Sequence, residues 1–242
     1  MGSFAESFAK LLKIAEAFRG KTLPDQIRMM HTGIDSRIYA AFSQIDRKLF
    51  VGPFIQTVSQ YVPYATREQI DSLIYCCGIA LPIEAQLNTS QPLLMAEMYQ
   101  NGLPVGACTK ALEIGAGCGY GTALLSKFYD HVYGVEIDKN LARQANANLK
   151  AANIGNADII HDNGFKWMKK NVIKLGPFDT IIVSAAFPED VYSKLVPYLS
   201  IGGRLVMPTI TSKLIRCTRK DEKNIMWEEI RSDVDFVNGK MK

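Results

Sequence analysis

The sequence predicts an α/β protein: a Rossmann-like, doubly wound, mostly parallel sheet with an N-terminal helical region before it and a C-terminal antiparallel hairpin after it. Three observations lead there. From about residue 109 onward, short β-branched runs alternate with amphipathic helical stretches, as βαβ units do when they wind a parallel sheet. The first of those runs leads straight into a glycine-dense turn that opens a helix. Residues 1–77, in contrast, show apolar spacing of helical period only.

Within residues 1–77, Phe4, Phe8, Leu11, Leu12, Ala15 and Phe18 fall on one side of a helix that Gly20 and then Pro24 end. A second helical pattern follows through Ile34, Ile38, Ala41, Phe42, Ile45 and Leu49, stopped by Gly52-Pro53, and a third short one lies within 66–77. Apolar helical stripes are normally packing surfaces, so this region reads as a helical cap over one edge of the main domain. The expected strands are 111–114, 131–136, 157–161, 179–184 and 204–207, with helices near 120–129, 139–152 and 189–199. Beyond Pro208, the runs 213–218 and 225–230 flank the polar stretch from Arg219 to Asn224 and read as the closing hairpin.

Composition narrows the function. The chain has 242 residues, 48% hydrophobic and 21% charged, which suits one domain with an appendage and excludes a disordered or fibrous chain. Its longest apolar runs, such as Thr180-Ile181-Ile182-Val183, fall far short of the roughly 18 residues of a membrane span, so no membrane anchor is expected. The first residues lack the basic-then-apolar order of a secretion signal, and a cytoplasmic location is expected. Five cysteines without C-x-x-C spacing and three scattered histidines argue against both a disulfide framework and a zinc site; no metal is expected. The 28 basic and 24 acidic residues are spread along the chain, which argues against a nucleic-acid-binding face.

The chemistry is concentrated in residues 111–121, where Glu113-Ile114-Gly115-Ala116-Gly117-Cys118-Gly119 joins strand to helix. Glycine there permits a tight turn and lets a ligand approach the backbone. Nineteen residues after Gly117 comes Glu136, at the end of the next strand and followed by Ile137, near the spacing at which a carboxylate grips ribose hydroxyls. NAD and S-adenosylmethionine both bind at such turns. A pyrophosphate favours a helix N-terminus free of nearby negative charge, whereas Glu113 precedes the first glycine and suits a ligand bearing sulfonium and ammonium groups. S-adenosylmethionine is therefore preferred to NAD. Asp162 and Asn163 follow the third strand on the same sheet edge; Asp162 is expected to accept from an adenine amino group, or to cap the helix around 165–169. Cys118 reads as a small packing residue, since no histidine lies near it in sequence.

Residues 80–208 resemble the protein-L-isoaspartate O-methyltransferase family of class I S-adenosylmethionine-dependent methyltransferases. The stretch from Pro177 through Asp179, Ile181-Ile182-Val183 and Ala185-Ala186 to Pro188-Glu189 is similar to that family's P-[YF]-D-x-I-I-V-x-A-A-x-P-E, and Gly202-Gly203-Arg204-Leu205-Val206 follows as it does there. Asp162 with Trp167 resembles G-D-G-x-x-G-W, although His161 and Asn163 stand in place of its first two glycines. Ala80-Leu81-Pro82-Ile83 and Ser90-Gln91-Pro92 keep both ends of the family's substrate motif, but Leu87-Asn88-Thr89 replaces Gln-Thr-Ile. Asp46-Arg47-Lys48-Leu49-Phe50-Val51 is similar to V-x-R-x-x-F-V.

The resemblance implies a class I methyltransferase domain over 78–242, S-adenosylmethionine as cofactor with S-adenosylhomocysteine as product, and an isoaspartyl protein or peptide as substrate. It implies that Ser90, and with it Thr89, hydrogen-bonds the acceptor carboxylate. A helix N-cap is the competing role for Ser90, given Pro92 in the first turn. Gly115, Ala116, Gly117, Glu136, Ile137, Asp162 and Asn163 are the expected cofactor residues, with Glu113 fixing the loop or meeting the methionine end. Two other readings stand beside this one: a carboxyl methyltransferase of a more specific peptide, and a non-catalytic S-adenosylmethionine-binding protein that recruits a partner. Oligomeric state is left open.

Overall fold

The computed structural model of the chain describes residues 2–84, 87–104, 106 and 108–240, without the side chains of 2–5 and 84; the Phe4 side chain of the apolar stripe thus lies outside it. The chain divides into two compact units, residues 1–97 and 98–242.

The first unit is helical. It contains α1 (Gly2–Glu16), α2 (Leu23–Met30), α3 (Ser36–Gln44), a 3-10 turn (Arg47–Phe50), α4 (Gly52–Tyr61) and α5 (Arg67–Ile74), then a small antiparallel pair, β1 (Pro82–Glu84) and β2 (Leu87–Asn88). Its core gathers Phe8, Val51, Phe54, Val58, Leu73, Ile74 and Leu81. Two expected helix ends are helix starts instead. Pro24 stands in the first turn of α2, capped by Thr22, and Pro53 stands in the first turn of α4. Proline lacks the N–H that the first turn leaves unbonded anyway, so it opens these helices, whereas α1 has already ended at Glu16 and the 3-10 turn at Phe50. Thr66 caps α5 in a reciprocal capping box with Gln69.

The second unit carries the sheet. After α6 (Pro92–Gly102) come β3 (Lys110–Ile114), α7 (Tyr120–Leu125), β4 (His131–Glu136), α8 (Lys139–Ala151), β5 (Ala157–His161), α9 (Gly164–Leu175) and β6 (Phe178–Val183). The one-turn helix α10 (Tyr192–Leu195), flanked by 3-10 turns, leads to β7 (Leu199–Pro208), β8 (Lys213–Arg219) and β9 (Ile225–Ser232). The helix expected over 189–199 is thus broken into three short turns, the last with Pro197 at its start.

The strand order is β5-β4-β3-β6-β7-β8-β9, with β3 to β7 parallel and β8 and β9 antiparallel. The chain steps outward from β3 to β4 and β5, then returns to the other side of β3 as β6. Ile114 pairs with both Val135 and Val183, so the β3 and β6 ends diverge at a topological switch point, where open α/β sheets take ligands. Leu112, Ile114, Val135, Trp167, Phe178, Ile181, Val183, Leu205 and Met207 are buried together, because helices cover both faces of a parallel sheet and its strands read as continuous apolar runs. Asp179 ties the start of β3 to this core: it accepts from Thr109 N (2.8 Å), Thr109 Oγ1 (2.6 Å), Lys110 N (3.0 Å) and Ser200 Oγ (2.9 Å).

Candidate active site

The turn after β3 is built from glycines with left-handed backbones: φ is +85° at Gly115, +54° at Gly117 and +85° at Gly119. Side chains rarely tolerate those angles, so the turn is lined by main chain. Gly115 N and Ala116 N donate to Val135 O, which fastens the turn to the end of β4. Glu136 fastens it again: the buried carboxylate accepts from Gly117 N at 2.8 Å and from Asp138 N at 2.9 Å. Ile137 follows it, exposed on the carboxyl edge.

Glu113 is 3% exposed inside β3, and its oxygens accept from Thr122 Oγ1 (2.6 Å) and Ser184 Oγ (3.0 Å). Burial pushes its carboxyl up to about 7; the two hydroxyls pull it down and the Glu136 charge adds to the rise. The same carboxyl occupies the space a Cβ on Gly121 would need. Glu113 therefore links β3, α7 and the end of β6, the arrangement of a loop-fixing group.

Asp162 and Asn163 lie past β5, and Glu136 O accepts from Asp162 N. The helix cap falls on Asn163, not Asp162: Asn163 Oδ1 accepts from Phe165 N (3.1 Å) and Lys166 N (3.2 Å). Asp162 instead accepts from Asn163 N at 2.7 Å and lies 3.9 Å from Lys170 Nζ, which leaves most of its acceptor capacity toward the edge. Cys118 is buried in the turn.

The second unit thus brings Glu113, Gly115, Ala116, Gly117, Glu136, Ile137, Asp162 and Asn163 to one edge of one sheet. Sequence reasoning missed two further components of that edge. Ser184 is one. The other is the segment from Val237 to Lys240: Ala186 N donates to Val237 O, Gly239 N to Ala186 O, and Asn163 Nδ2 to Lys240 O (3.2 Å). Only Gly239 hints at it, since a Cβ there would run into the Phe187 ring.

Thr89 and Ser90 belong to the first unit. Thr89 is buried; its hydroxyl oxygen accepts from Arg47 Nη2 (2.8 Å) and Leu81 N (3.3 Å). Ser90 is half-buried, and its hydroxyl makes no hydrogen bond among the described residues. It does not cap α6: Met95 N, in the first turn, donates to Gln91 O.

A profile of protein-L-isoaspartate(D-aspartate) O-methyltransferases matches residues 19–240. The chain belongs to this family. Among its relatives, the protein-L-isoaspartate O-methyltransferase of Vibrio vulnificus (strain YJ016) is 33% identical over 220 residues, covering 88% of this chain and 95% of that one. That of Methylobacillus flagellatus is 35% identical over 192 residues, 78% of this chain and 75% of the relative. The match to the Photobacterium profundum enzyme reaches 43% identity over 130 residues, and there the chain spans 59% of the relative's length. Among solved structures, a protein-L-isoaspartate O-methyltransferase from Plasmodium falciparum in complex with S-adenosyl-L-homocysteine superposes with a TM-score of 0.71 at 24% identity, over 91% of this chain and 97% of that one. A second protein-L-isoaspartate O-methyltransferase gives 0.67 at 20% identity, over 96% of this chain and 66% of the other. At these identities the two structures speak to the fold, a class I methyltransferase sheet. Among the described residues no helix is long and apolar enough to cross a membrane, and no group of three metal-ligating side chains occurs.

Proposed function

We propose that this chain transfers a methyl group from S-adenosylmethionine to the free carboxylate of L-isoaspartyl residues in damaged proteins and peptides. The observation that carries this reading is the family match over residues 19–240, which takes in both the glycine turn and the Thr89-Ser90 segment. The donor set fits the cofactor. A main-chain turn at the switch point admits close approach. The carboxylates of Glu136 and Asp162 make the edge acidic, which suits a ligand with sulfonium and ammonium groups and disfavours a pyrophosphate.

In this reading Glu136 accepts from the ribose hydroxyls, Asp162 and Asn163 meet adenine, Ile137 offers it an apolar surface, and Gly115, Ala116 and Gly117 lend their backbone. Bound S-adenosylmethionine supplies an electrophilic methyl group on a positively charged sulfur. The chain's own residues hold, orient and exclude water. A carboxylate acceptor has an ordinary pKa near 4 and is ionised at neutral pH, so no general base has to be placed. Ser90, with its hydroxyl uncommitted, donates to one acceptor oxygen and leaves the other to attack. Alignment of this kind contributes roughly 7–11 kcal/mol to such displacements. The methyl ester then opens the α-carbonyl, the free one in an isoaspartyl linkage, to attack by the nitrogen of the following residue, whose proton leaves with the methoxy group. Methanol leaves, a succinimide forms, and its hydrolysis returns part of the material to aspartate.

The reading is tested by assaying methyl transfer to several isoaspartyl peptides of unrelated sequence. A repair enzyme acts on all of them. Activity on one alone would favour the dedicated-substrate relative that the Leu87-Asn88-Thr89 departure suggests, and S-adenosylhomocysteine binding without transfer to any would favour a non-catalytic protein.

A further inference from the structure

Arg47 is 0% exposed, in the short turn between α3 and α4. A buried guanidinium is costly unless its N–H groups are met. Here they draw three separate stretches of chain together. Nη1 donates to Ile74 O (2.9 Å) and Cys76 O (3.4 Å) at the end of α5; Nη2 donates to Ile79 O (2.9 Å) in the connector and to Thr89 Oγ1 (2.8 Å), and lies 3.5 Å from Ser90 O. The planar fork is what allows one side chain to span them.

The far end of that span is the segment that departs from the family pattern. Thr89 stands where the pattern has isoleucine, a side chain with no acceptor for Arg47. Thr89 N donates to Leu81 O (2.7 Å) while Leu81 N donates to Thr89 Oγ1, closing the base of the β1–β2 hairpin. Successive residues of an extended segment face opposite ways. Thr89 is buried toward Arg47, and Ser90 is left half-buried with an uncommitted hydroxyl.

We propose that Arg47 and Thr89 are a positioning pair, in which the guanidinium grips the Thr89 hydroxyl and thereby holds the Ser90 hydroxyl where an isoaspartyl carboxylate is received. Arg47 acts through Thr89, the pair acts through Ser90, and neither touches the substrate. This inference rests on the methyltransferase reading for its kinetic consequence, and on the hydrogen bonds alone for its structural one. Its scope is the first unit, so cofactor affinity is untouched by it.

The test compares full-length Thr89→Val, which keeps shape and removes the acceptor, with Thr89→Ser, which keeps the acceptor. Three quantities are read: kcat and KM for an isoaspartyl peptide, S-adenosylhomocysteine affinity by calorimetry, and amide hydrogen exchange over 87–93. Thr89→Val is expected to lower kcat/KM about ten-fold, mostly through KM, and to speed exchange over 87–93, with cofactor affinity unchanged; Thr89→Ser stays within about two-fold of the parent. Arg47→Lys, which keeps the charge without the fork, is expected to give the same KM-weighted loss, and Thr89→Val on top of it adds less than about two-fold. Wild-type kcat/KM and exchange in Thr89→Val, equal losses in Val and Ser, or additive losses with Arg47→Lys would each overturn the pair. If Arg47→Lys does not fold, the two Thr89 variants decide alone. If the parent methylates no isoaspartyl peptide, the functional reading fails, and the exchange comparison still decides the pair.

Discussion

Replacing Glu113 by glutamine isolates the carboxyl buried beneath the glycine turn. The amide keeps the shape, still accepts from Thr122 Oγ1 and offers its NH2 to Ser184 Oγ. What changes is titration. The folded protein holds the Glu113 proton up to about pH 7, against an ordinary value of 4.5. Between those values the folded state binds more protons than the unfolded state, so stability falls as pH rises through the window and levels off above it. A shift of that size, at about 1.4 kcal/mol per pH unit, amounts to about 3 kcal/mol. Urea melts of parent and Glu113→Gln at pH 5, 6, 7 and 8 read it out: their difference in unfolding free energy should move in favour of the variant by about 3 kcal/mol across the window and then stay flat. A difference that does not change with pH would refute the assignment of a buried, neutral Glu113 below pH 7, and with it the claim that this carboxyl is sequestered as a loop brace.

Three other outcomes follow from the same geometry. Glu136→Ala removes the acceptor for Gly117 N and Asp138 N, and with it the carboxylate proposed to accept from the ribose hydroxyls; calorimetry should show S-adenosylhomocysteine binding weakened ten-fold or more, at about 1.4 kcal/mol per factor of ten. Ser90→Ala should lower turnover at least ten-fold with cofactor affinity within two-fold of the parent, since the Ser90 hydroxyl has no hydrogen bond among the described residues to lose; intact turnover would displace Ser90 from the acceptor site. Asn163→Ala takes the cap from α9 and the side-chain bond to Lys240 O, and should lower unfolding free energy by about 1 kcal/mol in denaturant melts.

Periodicity exposed the sheet unit well because its rules are local. The expected 131–136 and 157–161 coincide with β4 and β5, and the glycine turn, Glu136 and Asp162 reach one edge because parallel strands put all their carboxyl ends there. The first unit was harder to read. Pro24 and Gly52-Pro53 are punctuation, and the sequence does not say on which side of it the helix lies; the Thr22 cap and the burial of Leu23 and Ile27 decide that α2 follows. Asn163 and Asp162 are adjacent side chains with the same capping chemistry, and only backbone direction selects one. Arg47 stands out only within the segment similar to V-x-R-x-x-F-V, and its role is not legible there because its hydrogen-bond partners lie 27 to 43 residues away. The segment from Val237 to Lys240 carries no motif because it contributes main chain, which any sequence can supply.

The central claim is that this edge serves carboxyl methylation at isoaspartate. It is tested most directly by transfer of labelled methyl from S-adenosylmethionine to two peptides identical except for isoaspartate or aspartate at one position, with S-adenosylhomocysteine binding measured on the same preparation. The account predicts base-labile label on the isoaspartyl peptide alone. Binding without label on either peptide, or equal label on both, would contradict it.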